Sequence, residues 1–368
     1  MKKNHIPSPL TFLRTGPAQY VNRAGILTRA GNCIRPWGDR ALISGGKRAL
    51  AASELRLTKS LERTGIKWRR HLFSGESSPG NIDVIKGKAL DFKANLIIGV
   101  GGGKSLDTAK QAAVELGLPC VCIPTVAATC SATTALSVIY NDRGEYQRVR
   151  VQARNPSLVL VDPVIITQTP GLYLRAGILD SLAKWFEGRA VFACVRNPDV
   201  QSAAAFQLAD VLYREHRKHA IDAVHLNAQH RVEAGLIQVL DLVILLTGVI
   251  QTLGKGTLFT GLAHPVHNGL TLMKESHGVL HGLKVGYGIM VQLLVEKCPR
   301  REFEDVLRFF RQLGLEPSLK GLNLPYDPEL ILRVAEKAAN DPDIGPLNFT
   351  VSKSVIASAM EALEKRLA

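Results

Sequence analysis

The chain has 368 residues, 46% hydrophobic and 21% charged, which excludes a disordered protein and leaves room for two domains with a large apolar core. Its formal net charge is +14, but the basic clusters KWRRH (67–71) and RREFEDVLRFFR (300–311) are short or mixed with acids. Solvated helix faces and an anionic cofactor or substrate account for that charge, and no nucleic-acid partner is expected.

The N-terminal MKKNHIPSPLTFLRTG begins basic and lacks the apolar run of a signal peptide. RALISGG (40–46) reads as a strand ending in glycines, and GIKWRRHLF (65–73) as a second strand. A turn and helix are expected over 77–92. ANLIIGVGGG (94–103) is a buried strand ending in glycines. A helix follows over 104–117, closed by Gly117. PCVCIPT (119–125) and SLVLVDP (157–163) are further buried strands. This alternation predicts a parallel sheet with helices on both faces. After Pro163 the β-branched runs disappear. Helical spacing recurs over 175–193, 200–217, 229–252, 284–297, 302–313 and 328–340. The predicted division is 1–162 and 163–368. The longest apolar stretch, Val239–Ile250, is too short for a bilayer span and contains Asp241, so a buried helix and no membrane role are expected. The six cysteines, Cys33, Cys120, Cys122, Cys130, Cys194 and Cys298, contain no C-x-x-C pair. Neither a zinc knuckle nor a disulfide framework is expected, and a reducing cytoplasm is the default location.

GVGGGKSLDTAK (99–110) looks like a phosphate cradle but fits neither standard template. A P-loop ending at Gly103, Lys104 and Ser105 needs glycine where Ile98 stands. The G-x-G-x-x-G pattern begun at Gly99 needs glycine where Lys104 stands. The shared physics remains: a strand ends, glycines let the backbone come close, and a helix N-terminus offers free N–H groups to a pyrophosphate.

LAHPVHNGLTLMKESHGVLHGLKVGYG (262–288) holds two histidine pairs, His264 with His267 and His277 with His281. If helical, each pair shares a face, and two helical pieces could bring a histidine from each together on a metal. Satisfied core or surface histidines are the competing reading. Asp180, in the apolar run GILDSLAKWFE, needs a metal or a partner; Lys184, one turn on, is the plain alternative. Spacing alone does not choose.

Together these segments, with PTVAATCSATTALSVIYNDRGE (124–145), AGILDSLAKWFEGRA (176–190) and HGLKVGYGIMVQL (281–293), resemble the glycerol dehydrogenase branch of the iron-containing alcohol dehydrogenase superfamily. The AATC and LAKW features look most like its hydroxycarboxylate dehydrogenase subgroup. The resemblance implies an α/β N-terminal dinucleotide-binding domain with a parallel sheet, over 1–162. It implies an all-α C-terminal metal-binding domain over 163–368, with the active site in the cleft between them. It assigns Asp180, His264 and His281 as ligands of one divalent metal, zinc or iron. It places Gly101, Gly102, Gly103, Lys104, Asp107, Thr125, Ala128, Thr134, Leu136 and Tyr140 at NAD or NADP. Family members are commonly homo-oligomers.

Three departures stand out. Cys130 replaces an aspartate that helps the family hold a polyol, which makes a 2-oxo acid such as 2-oxobutyrate more plausible than glycerol. Gly46 or Lys47 stands where the family's ribose-binding acid falls, which tilts the cofactor towards NADP. Leu179 and Leu283 replace a glycine and a polar residue beside two ligands. The expected reaction is reversible hydride transfer between a nicotinamide and a small, anionic 2-hydroxy or 2-oxo acid, with glycerol or another polyol as the alternative substrate. His267 is the candidate proton relay or a hydrogen-bond partner of a ligand, and Cys130 lines the site as an apolar wall or reactive thiol. A lyase of the dehydroquinate synthase type would need several basic residues around a substrate phosphate, and none is assigned. A binding protein without turnover would not need the Asp/His/His set.

Overall fold

The computed structural model describes residues 14–254 and 257–368. The basic segment at residues 1–13, read above as lacking a signal-peptide run, lies outside them.

Six parallel strands form one sheet: β1 (Gln19–Asn22), β2 (Arg40–Gly46), β3 (Lys67–Phe73), β4 (Leu96–Gly101), β5 (Cys120–Pro124) and β8 (Leu158–Val161). Their order is β1-β8-β5-β4-β2-β3. All residues of β4, β5 and β8 are buried, as expected of strands covered on both faces. The chain leaves β2 towards β3, then returns past it to β4 and continues to β5. The direction of winding therefore reverses between β2 and β4, where Gly45 pairs with Val100. In open parallel sheets a crevice forms outside the carboxyl ends of the strands at such a reversal. Both glycine-rich turns, at the ends of β2 and β4, open onto it.

Helices α1 (Lys47–Arg63), α2 (Pro79–Asp91) and α3 (Gly103–Glu115) connect these strands. Proline at the first position and a Ser78 cap start α2, as the free N–H groups of a first turn require. Three strands were not expected from the sequence. Strand β1 is a short edge strand. Strands β6 (Leu136–Tyr140) and β7 (Tyr146–Val151) form a separate antiparallel pair.

Every element among the described residues after Val161 is helical. The long ones are α4 (Leu172–Phe192), α5 (Val200–Ala228), α6 (Ala234–Leu253), α7 (Ala263–Leu270), α8 (His281–Val295), α9 (Arg300–Gln312), α10 (Pro328–Ala339) and α11 (Lys353–Leu367). The apolar run Val239–Ile250 proves to be the middle of a 20-residue helix, α6, long and apolar enough by length and composition to cross a membrane. Here it packs inside the protein, with half of that stretch buried. Its Asp241 accepts hydrogen bonds from Tyr20 (2.7 Å) and Asn22 (2.8 Å) of β1.

The loop after β5 joins the sheet to the helices. Thr133 donates to the Ile244 carbonyl of α6. The Cβ that Gly177 of α4 lacks would sit 2.1 Å from the Ala127 carbonyl. The carboxyl edge of the sheet is thus held directly against α4.

Candidate active site

Helices α4, α7 and α8 converge behind that loop. Asp180 lies mid-way along α4, His264 in the first turn of α7, and His281 at the start of α8. His264 Nε2 is 3.4 Å and His281 Nε2 3.3 Å from Asp180 Oδ1. One ligand atom from each residue lies within 4.8 Å of the others. Two imidazoles and one carboxylate, spread over three helices, suit a borderline divalent ion and leave a coordination position for a reacting oxygen. Close helix contact makes the convergence possible. A Cβ on Gly282 would lie 1.8 Å from the Ala176 carbonyl of α4, so only glycine lets α8 approach there. Leu179 is buried with its Cδ1 2.4 Å from the Cβ position of Gly286, so it packs between helices.

The second histidine pair does not share a helix face. His277 is exposed in a separate 3₁₀ turn, Lys274–Gly278, because Gly278 and the extended Val279 and Leu280 part it from α8. His267 does approach the triad. Its Nε2 is 2.9 Å from His281 Nδ1, and its Nδ1 is 2.9 Å from Asn268 Oδ1. Asn268 Nδ2 donates to Asp341 Oδ2 at 2.7 Å. Both ring nitrogens of His267 are therefore engaged within the protein.

Glu187 lies two turns after Asp180 on α4 and is fully buried. It accepts from His264 Nδ1 and from the backbone N–H groups of Gly261 and His264. The sequence reading missed it, although its spacing from Asp180 puts both carboxylates on one helix face. Burial opposes the charge of Asp180, but the charges and hydrogen bonds of His281 and His264 hold its carboxyl far below the usual range. Burial also opposes the charge of His264, but Glu187 and Asp180 raise it to about 9. His267 is driven the other way by burial and by the charges of His281, Lys284 and His264. The Cys130 thiol is pushed up to about 12 by burial and by the charge of Asp180. It is protonated at neutral pH, so the site faces a neutral wall there and not a thiolate nucleophile.

At the crevice, Gly101 ends β4 at φ 143°, a conformation open to glycine. Gly102 and Gly103 lead into α3. Lys104 is exposed in the first turn and pairs with Glu76 at 2.5 Å. Thr125 donates its N–H to the Gly101 carbonyl, which ties the turn after β5 to the turn after β4. Ala128 is half-buried in the next loop, and Leu136 and Tyr140 are half-buried on β6. Asp107 does not fit the expected cofactor contact. It is buried, and its oxygens accept from Ser131, Lys110 and the Val138 N–H. Its partner Lys110, also buried, donates to the carbonyls of Ser131, Thr134 and Leu136. Asp107 and Lys110 thus brace the backbone that carries Thr134 and Leu136.

Comparison with known proteins bears on this geometry. A family model described as iron-containing alcohol dehydrogenase matches residues 17–163. A glycerol dehydrogenase of Escherichia coli O6:H1 is 35% identical over 329 residues, covering 88% of each chain. The chain belongs to the glycerol dehydrogenase-like branch of the iron-containing alcohol dehydrogenases. Hydroxycarboxylate dehydrogenase A of Escherichia coli K12 is 36% identical over 287 residues, 75% of this chain and 76% of that one. The crystal structure of a probable glycerol dehydrogenase from Sinorhizobium meliloti 1021 superimposes with a TM-score of 0.85 at 30% identity, covering 97% of this chain and 99% of that one. As a member of the family, the chain is an NAD-type alcohol dehydrogenase that works with a divalent metal.

Proposed function

We propose that this protein transfers hydride between a nicotinamide dinucleotide and the carbinol or carbonyl carbon of a small oxygenated substrate. The convergence of Asp180, His264 and His281 within 4.8 Å carries this reading. They would hold one divalent ion, zinc or iron, and Gly101, Gly102, Gly103 and Lys104 would receive the dinucleotide phosphates. The ion, when bound, supplies Lewis acidity at the substrate oxygen. The residues around it do the rest. Glu187 orients His264, and His267 orients His281, so that each presents Nε2 towards Asp180. With both its nitrogens engaged, His267 serves as a positioning group in preference to a proton relay. The loop braced by Lys110 would hold the nicotinamide against the substrate carbon. The division at 162/163 separates the dinucleotide half from the metal half, and a homo-oligomer is the working assembly.

Glycerol and related polyols have the larger support among the named relatives. A small 2-hydroxy or 2-oxo acid is the second reading. It is favoured by the neutral Cys130 in place of an acid that would repel a carboxylate. For the cofactor we propose NADP. Gly46 ends β2 and Lys47 and Arg48 follow it, with no acid among the three to engage a ribose 2′-hydroxyl, and open space surrounds the Cβ position of Gly46. The test is a matrix of NAD(H) and NADP(H) against glycerol, glycolaldehyde and 2-oxobutyrate, with and without a chelator. Chelator-sensitive turnover is expected. Turnover that survives complete metal removal would overturn the assignment.

A further inference from the structure

We infer that Lys184 is an anchor for a carboxylate group of the substrate. This rests on the second substrate reading above and names the residue that would make it work. Lys184 follows Asp180 by one turn of α4 and projects from the same face. It is 7% exposed.

The described residues contain three buried lysines, and two make hydrogen bonds within the protein. Lys110 has Asp107 and three carbonyls. Lys284 donates to the Ser276 carbonyl at 3.2 Å. Lys184 makes no hydrogen bond and has no carboxylate within 4.0 Å among the described residues. The plain alternative, an ion pair with Asp180, is not formed; Asp180 Oδ1 lies against the two histidines. The Lys184 stem is buried, but its nitrogen is not among the fully enclosed unpartnered side-chain atoms, so the ammonium keeps an opening through which a ligand can supply the counter-charge.

Its position says which ligand. Lys184 stands one turn from Asp180 on the same helix face, and its charge is felt at both the Cys130 thiol and the His264 imidazole. Nothing at Cys130 neutralises it. A divalent ion on one carboxylate and two neutral imidazoles leaves a further net positive charge. A substrate with a carboxylate next to its carbonyl or carbinol carbon matches both. Its reacting oxygen would lie at the triad, and its carboxylate, on the adjacent carbon, would turn towards Lys184, whose backbone stands about 6 Å along α4 from that of Asp180. A neutral polyol has no group to meet this ammonium.

The test uses the metal-loaded full-length enzyme. Oxamate, an unreactive mimic of a 2-oxo acid, is titrated as an inhibitor of glycolaldehyde reduction, and KM is measured for 2-oxobutyrate and glycolaldehyde. Lys184→Met keeps the apolar stem and removes the charge; Lys184→Gln and Lys184→Arg are made alongside. Met and Gln are expected to raise the oxamate Ki and the 2-oxobutyrate KM by about 30-fold, and by at least ten-fold more than the glycolaldehyde KM. Arg is expected to recover most of the loss. Metal content and melting temperature identify any variant that fails to fold. If wild-type enzyme ignores oxamate, or the charge-removing variants leave the carboxylate-to-aldehyde ratio unchanged, the anchor is wrong. If wild-type enzyme reduces only neutral carbonyls yet loses oxamate inhibition in Lys184→Met, the acid-substrate reading fails and the anchor stands.

Discussion

His281 Nδ1 lies 2.9 Å from His267 Nε2, and this contact decides which nitrogen of His281 is left for a metal. The logic begins at Asp341, whose carboxylate only accepts. Asn268 must therefore turn its Nδ2 to Asp341 and its Oδ1 to His267. His267 then carries its proton on Nδ1 and accepts at Nε2 from His281 Nδ1–H. The lone pair of His281 Nε2 is left facing Asp180. The tautomers are assigned from the network as a whole.

Asn268→Leu breaks that chain while keeping the volume similar. Metal affinity is expected to fall about 10- to 100-fold, read by chelator competition. An unchanged affinity together with an unchanged melting temperature would show that the tautomer needs no such lock.

Glu187→Gln removes the charge behind His264 and keeps an acceptor for one backbone N–H. The expected loss of metal affinity is again about 10- to 100-fold, with the fold retained by circular dichroism. Glu187→Leu is expected to destabilise the start of α7 as well, because the N–H groups of Gly261 and His264 lose their acceptor.

The raised value of His264 predicts opposite pH trends for the metal-free and metal-loaded protein. Folding raises this group from 6.5 to about 9. Its contribution to metal-free stability is therefore fully present below about 6.5 and is lost as pH rises through about 9. Metal must displace the His264 proton, so affinity is expected to rise roughly ten-fold per pH unit between these values. Melting curves of the metal-free protein and metal titrations over this range check both trends. A metal affinity independent of pH would contradict the ligand assignment.

Gly46→Asp places an acid at the end of β2, at a position where a Cβ meets nothing within 4 Å. The ratio of kcat/KM for NADP over NAD is expected to fall about 10- to 100-fold through repulsion of the 2′-phosphate. An unchanged ratio would place the ribose site elsewhere.

Gly282→Ala puts a methyl group 1.8 Å from the Ala176 carbonyl. Helix α8 must then retreat from α4, and a loss of about 3 kcal/mol or more is expected. Denaturant unfolding measures it, and metal content should fall in parallel as His281 leaves Asp180.

The parallel sheet was legible because β4, β5 and β8 are short apolar runs bounded by glycine or proline. Strand β1 was not, since four residues at a sheet edge carry little pattern. Strand β7 is mostly exposed, so its alternation has no buried face to mark it. Asp180, His264 and His281 were reachable only through their family resemblance, because spacing left Lys184 and ordinary core histidines as alternatives. Glu187, Asn268 and Asp341 act through other side chains, and their contacts span 73 to 77 positions along the chain. Asp107 shows the reverse error: a polar residue in a glycine-loop motif turned inward to Lys110 and Ser131.

The three ligand atoms already stand within 4.8 Å of one another on helices that the rest of the protein holds in place. On the ligand assignment proposed above, loading would follow folding. A rigid Asp/His/His pocket discriminates weakly among first-row ions, whose affinities rise from manganese through iron to nickel and copper. Which ion the enzyme carries will follow what the cell has free when the chain is made. Preparations grown on different trace metals should therefore differ in turnover while sharing one fold.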